Sequence, residues 1–145
     1  MNSNNITKSQ YDWVGDFKNG FAMVRINDKY GFINEKGEEI TSIKYDSVWD
    51  FKNGFAMVRI NDKYGFINEK GKEITPIKYT YVGIFYNGFA KVELNGKWGF
   101  INEKGEEITS IKYGDVWIFH NGFARVILNG KARFINEKGE EVESM

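Results

Sequence analysis

Asn-Gly-Phe-Ala begins at Asn19, Asn53, Asn87 and Asn121, 34 residues apart each time. Ile-Asn-Glu-Lys-Gly begins at Ile33, Ile67, Ile101 and Ile135 with the same spacing, and Tyr11, Tyr45, Tyr79 and Tyr113 keep it as well. A fixed period of this length makes each copy one supersecondary unit, which cannot bury its apolar surface alone and is completed by its neighbours. The four copies cover 11–44, 45–78, 79–112 and 113–145, read together as a single repeat domain behind a polar, flexible segment at 1–10. Copies one and two are identical over Asp16–Gly37 and Asp50–Gly71, the mark of recent duplication or of consensus-style engineering.

Within one copy the punctuation predicts β structure. The alternating apolar runs Phe21–Ile26 and Lys29–Ile33 flank Asn27-Asp28, and the later copies carry Asn95-Gly96 and Asn129-Gly130 at that point. Asn-Gly between such runs signals a type I′ hairpin, because both central residues need positive φ. Asn34-Glu35-Lys36-Gly37 suits a type I turn closed by a left-handed glycine, and Asn19-Gly20 predicts a third hairpin. No segment sustains a helical period. Pairing through the two-residue turn sets Val24 opposite Gly31 and Ala22 opposite Ile33 on one face, with Arg25/Tyr30 and Met23/Phe32 on the other. Both faces are apolar, so stacking of neighbours must bury them. The glycine opposite Val24 would let an adjacent sheet or aromatic ring come close.

The expected fold is therefore all-β: four antiparallel meanders stacked as an open solenoid or superhelix, with a closed propeller-like toroid as the alternative. Copy four breaks the pattern in favour of open ends. Tyr30, Tyr64 and Trp98 become Ala132, and Gly31, Gly65 and Gly99 become Arg133, the kind of polar outer strand that terminates an array. Pro76, where copies one and three have Ser42 and Ser110, fits a bend or an edge.

Lys97-Trp98-Gly99-Phe100-Ile101-Asn102, Gly105, and the Tyr113…Phe119…Gly122-Phe123-Ala124 spacing resemble the bacterial WG (KWG) repeat. The likeness covers 11 to about 142, although the tryptophan survives only in copy three. It implies a β-repeat scaffold and supplies no catalytic residues.

Charge and composition narrow the function classes. Lys+Arg and Asp+Glu are both 20, and a net charge of zero argues against a general nucleic-acid or anionic-membrane binder. Zero cysteines remove disulfides, thiolate nucleophiles and Cys-type metal sites. No run approaches the roughly 20 apolar residues of a membrane helix, and Met1–Gln10 has no apolar signal core, so a soluble cytoplasmic protein is expected. The carboxylates recur with the repeat, as Glu35, Glu69, Glu103, Glu137 in turns and Glu39, Glu73, Glu107, Glu141 after them. Equivalent solvated acids suit solubility rather than an asymmetric catalytic pair. The one histidine, His120, has no second histidine or cysteine with which to hold a metal or build a triad. Neither an enzyme nor a cofactor is expected.

Residues shared by all copies, such as Phe17, Asn19, Gly20, Ala22, Val24, Phe32 and Gly37, are assigned to packing and turns. Departures from the repeat are where function is sought. Three columns depart: Trp13/Ser47/Tyr81/Asp115, Gly15/Trp49/Gly83/Trp117, and Lys18/Lys52/Tyr86/His120. Trp13 and Gly15 are expected to share a surface with Tyr11 and Phe17 by strand alternation. A fourth variable column, Met23/Met57/Lys91/Arg125 beside Arg25/Arg59/Glu93/Ile127, is expected to be partly exposed. Trp13, Trp49, Tyr81, Tyr86, Trp117 and His120 are the candidate ligand-binding residues, since aromatics in a groove stack on a partner's side chains or on sugars. The expected function is a non-enzymatic scaffold for a protein partner, as inhibitor or adaptor. A carbohydrate-binding module is the alternative, and single-stranded nucleic acid is a weaker third. Exposed edges leave self-association open.

Overall fold

The computed structural model describes residues 10–142, and the expected flexible segment at 1–10 falls outside them except for Gln10. Every element among the described residues is a strand: β1 Trp13–Val14, β2 Phe21–Ile26, β3 Lys29–Asn34, β4 Ser47–Val48, β5 Phe55–Ile60, β6 Lys63–Asn68, β7 Tyr81–Val82, β8 Phe89–Leu94, β9 Lys97–Asn102, β10 Asp115–Val116, β11 Phe123–Leu128, β12 Lys131–Asn136 and β13 Glu141–Val142. They form four antiparallel sheets, one per repeat, in sequential order, with β13 added to the last. The chain divides into two compact units, one through Ile77 and one from Lys78, each holding two repeats.

The turns fold as their residues require. Asn27 and Asp28 take φ of 50° and 67°, and Asn19 and Gly20 take 53° and 90°. Both are two-residue hairpins of the primed type, whose hand matches strand twist. At the third turn the Asn34 side-chain oxygen accepts from the backbone of Lys36 and Glu38, both at 3.0 Å, while Gly37 N–H donates to Asn34 C=O. The central pairings are those expected, Val24↔Gly31, Ala22↔Ile33, Arg25↔Tyr30 and Met23↔Phe32.

Alternation fails in the first strand. Trp13↔Arg25 and Val14↔Val24 pair in one register, but Lys18↔Phe21 pairs one residue out of step. One extra residue therefore sits between Val14 and Lys18, and a bulge of this kind moves the following side chains to the other face. Phe17, which follows the bulge, accordingly packs against the core residues Ala22, Val24 and Ile33, which Tyr11 joins from just before the first strand, while Trp13 stays outside. The expected shared surface of Trp13 with Tyr11 and Phe17 does not form: the bulge turns Phe17 inward, and Tyr11 lies outside the short strand Trp13–Val14 to which alternation applies.

Both sheet faces take part in packing. In the first unit, Phe32 of repeat one packs among Tyr45, Val48, Phe51, Ala56, Val58 and Ile67 of repeat two. Phe51 stacks on Phe21 at 4.3 Å and meets Phe32 edge-on at 4.9 Å. Backbone bonds between Tyr30 and Tyr45 and the Asn19 amide on Phe51 C=O (2.8 Å) complete the join. The second unit repeats this with Phe100 among Tyr113, Val116, Phe119 and Val126, Phe89 on Phe119 at 4.3 Å and the Asn87 amide on Phe119 C=O. With about 1.5–3 kcal/mol for each buried Phe or Val, these joins dominate the packing of a unit.

The glycine opposite Val24 is required by a different neighbour from the one expected. A Cβ on Gly31 would lie 2.9 Å from Thr41 Oγ1 and 3.1 Å from Ser42 O, in the tail of the same repeat rather than in an adjacent sheet or ring. Gly71, with φ of 80°, is fixed twice, because a Cβ there would fall 1.7 Å from Ile40 O of the preceding repeat.

Candidate functional site

Two kinds of polar feature emerge, one closing the repeats and one facing solvent. The first is a tyrosine–glutamate clasp: Tyr11 donates to Glu39 (2.7 Å), Tyr45 to Glu73 (2.7 Å) and Tyr79 to Glu107 (2.8 Å). Lys44 and Lys78 reach Glu73 and Glu107 at 3.0 and 3.1 Å. Burial, then the hydrogen bond and charge of the glutamate, push all three tyrosines well above their ordinary range. For Glu73, burial acts upward but is outweighed by hydrogen bonds from Tyr45 and Lys44 and by the Lys44 charge, so its carboxyl is lowered. These glutamates are joints of the repeat, not the freely solvated acids expected. In repeat four Glu141 lies 3.8 Å from Arg133 instead.

The second feature is the variable surface. Trp13, Tyr81, Tyr86 and Trp117 are 43–47% exposed and Trp49 36%, and His120 is exposed too. The large ring alternates between two columns: Trp13 and Tyr81 use the first in repeats one and three, Trp49 and Trp117 the second in repeats two and four. Steric exclusion explains the alternation in repeat one. The Trp13 ring lies over Gly15, where a Cβ would be 2.8 Å from it, so a side chain there would have to displace the ring. Gly83 is covered by Lys91 at 2.9 Å.

In the first unit this arrangement opens a cleft of about 340 Å³ lined by Trp13, Met23, Tyr30, Ser47, Val48 and Trp49. Trp13 meets Tyr30 edge-on at 6.4 Å, and Trp49 lies 5.6 Å from Tyr64. Ser47 is the small residue that leaves room between the two tryptophans. In the second unit the same columns are occupied from within: Lys91 lies 5.0 Å above Trp98 and Arg125 4.9 Å above Trp117, while Tyr81 meets Trp98 edge-on at 5.9 Å.

Tyr86 and His120 come together elsewhere in the second unit, in a polar cleft of about 510 Å³ with Asn87, Asn121, Gly122 and Glu137. The candidate residues thus resolve into an aromatic cleft (Trp13, Trp49), a polar cleft (Tyr86, His120), and two rings engaged with neighbours (Tyr81, Trp117). Met23, Tyr30 and Glu137 were not among the candidates. Tyr30 was read as packing and Glu137 as a solvated turn acid, because the repeat period does not reveal which turns of adjacent copies approach.

The family pattern described as WG containing repeat matches residues 2–30, 30–64, 64–98 and 98–131. The chain belongs to the WG-containing repeat family. The boundaries between its successive matches fall at the aromatic position Tyr30/Tyr64/Trp98, inside the third strand of the first three WG repeats, whereas the boundaries drawn from the sequence fall between sheets. No curated protein matches it. Among solved structures, Hsv2 with loop 6CD replaced by a Gly-Ser linker is similar at TM-score 0.51 and 16% identity, over 87% of this chain and 48% of that one. Hsv2p of Kluyveromyces lactis follows at 0.45 and 14%, over 91% and 50%. A plant lectin with two metal binding sites from Cicer arietinum matches at 0.32 and 11%, over 92% and 91%. The first of these likenesses concerns fold alone, and the chain spans about half the length of the Hsv2 structures.

Proposed function

We propose that this WG-repeat chain is a non-catalytic interaction protein that recognises a protein partner through the aromatic cleft of its first unit. The observation that carries the reading is the cleft's composition. Two tryptophans, a tyrosine and a methionine stand at columns where other repeats differ, and these residue types dominate the buried centres of protein interfaces. The carboxylates of the clasps are committed to structural bonds, which supports a scaffold over a catalyst. As inhibitor or adaptor, the protein would act by occupying a partner's surface. Photo-crosslinking from the cleft rim in cells tests this reading. One stoichiometric partner is expected, lost in Trp13→Ala and Trp49→Ala; the same crosslinks in wild type and both variants refute it.

The polar cleft favours a second reading, carbohydrate binding. Tyr86 offers a ring face beside the hydrogen-bonding side chains of Asn87, His120, Asn121 and Glu137. A glycan array probed with wild type and Tyr86→Ala tests it: silence on the array removes the reading.

A further inference from the structure

Arg25 lies on the same sheet face as Met23 and, in register, directly between Trp13 and Tyr30. Three of the residues that line the aromatic cleft are therefore its immediate neighbours. Its Nε is buried without a hydrogen-bond partner, and the guanidinium has no ion-pair partner among the described residues. The other repeats treat this position differently. Arg59, its counterpart in repeat two, donates to Asp62 (2.9 Å) and to Ser47 Oγ (2.9 Å). Repeat three has Glu93 there, two residues from the Lys91 that covers Trp98, and repeat four has the uncharged Ile127.

The cause is the exchange that builds the cleft. Trp13 stands where repeat two has Ser47, so the residue that supplies the aromatic wall also removes the hydroxyl that Arg59 uses. Asp28, the counterpart of Asp62, makes no bond to Arg25 among the described residues. The cleft therefore presents an apolar floor and aromatic walls beside a guanidinium whose counter-charge is missing. Its Nε donor, buried without an acceptor, is unfavourable unless a partner supplies one.

Resting on the protein-binding reading above, we infer that the cleft docks a segment of the partner carrying a carboxylate next to a large apolar side chain. The apolar side chain enters between Trp13 and Trp49, and the carboxylate accepts from Arg25. Guanidinium and carboxylate match as donor fork and acceptor pair. A lysine or arginine on the partner would face Arg25 as a like charge, which disfavours the opposite chemistry.

Panning random linear peptides displayed on phage against the full-length chain tests this. Enriched sequences are expected to place Asp or Glu beside Leu, Phe or Trp, and the synthetic peptides to quench tryptophan fluorescence. Affinity should fall about 10- to 100-fold in Arg25→Gln, the range of one lost charge-assisted hydrogen bond, and by less in Arg25→Lys. Circular dichroism on both variants checks that the sheets persist. Selected peptides that need Trp13 and Trp49 yet bind Arg25→Gln as tightly as wild type would overturn the carboxylate assignment and leave the protein-binding reading standing. Enrichment of basic or uncharged sequences would do the same. Failure to select any peptide that depends on Trp13 would overturn both.

Discussion

The clasp between Tyr45 and Glu73 gives a prediction whose size depends on pH. Tyr45 is 1% exposed and its hydroxyl donates to a carboxylate that also receives Lys44 at 3.0 Å. A hydrogen bond to a charged group contributes about 1.5–3 kcal/mol. Because Glu73 keeps Lys44 after the change, Tyr45→Phe belongs near the lower end, about 1.5 kcal/mol, or roughly 4 °C in Tm for a chain of this size. The tyrosine proton is held more firmly in the folded chain, through burial first and then the Glu73 bond and charge. A folded-state pKa above the unfolded one means that the stabilisation is complete below about pH 10. It is lost as pH rises beyond that, by about 1.4 kcal/mol per unit for each such group. The phenylalanine variant has no proton to lose at this position. The gap between wild type and variant should therefore shrink from about 1.5 kcal/mol near pH 8 to about zero near pH 11. Tyr11 and Tyr79 lower both proteins alike and cancel in the difference. Urea denaturation followed by tryptophan fluorescence at the two pH values measures it, and a gap that stays constant or widens refutes the clasp as described.

Two glycines with similar backbones should respond differently to alanine. Gly54, at φ 91° with nothing within 4 Å of a Cβ, should lose only the left-handed backbone penalty of about 1–2 kcal/mol. Gly71→Ala adds the collision with Ile40 O and should lose a further ~1–3 kcal/mol or more; equal denaturant midpoints would contradict the stacking. Asp28, a non-glycine at φ 67°, should gain about 0.5–1 kcal/mol on replacement by the glycine that repeats three and four use, read from the urea midpoint. Thr75 buries an Oγ1 without a partner, so Thr75→Val should be neutral or stabilising by about 1 kcal/mol. Thr109→Val, which removes a 2.8 Å bond to Ser110 O, should destabilise by about as much; thermal melts of the pair compare them.

The meander was legible because its rules are local. Asn27-Asp28, Asn19-Gly20 and Asn34–Gly37 each dictate a turn from their own backbone preferences, and register follows from the first of them. What lay beyond local rules was misread or missed. The bulge after Val14 inserts a residue that no composition signal marks, and it sent Phe17 inward against strict alternation. The Tyr–Glu clasps share the 34-residue period, so their recurrence was visible, but a period does not distinguish a bonded carboxylate from a solvated one. Trp13 and Trp49 were found because they depart from the repeat. Arg25 was noticed only as a member of a variable column, since its significance depends on a missing acceptor.

Within each unit one repeat supplies the insert and the next the receptacle: Phe32 enters the second copy, where Val48, Phe51 and Ala56 receive it, and Phe100 enters the fourth, among Val116, Phe119 and Ala124. Gain or loss of a whole two-repeat unit therefore leaves these junctions chemically intact, whereas gain or loss of a single residue shifts an insert away from its receptacle. Copies one and two, identical from Asp16–Gly37 to Asp50–Gly71, are interchangeable over that stretch. Related chains should accordingly differ in length by whole units rather than by single residues.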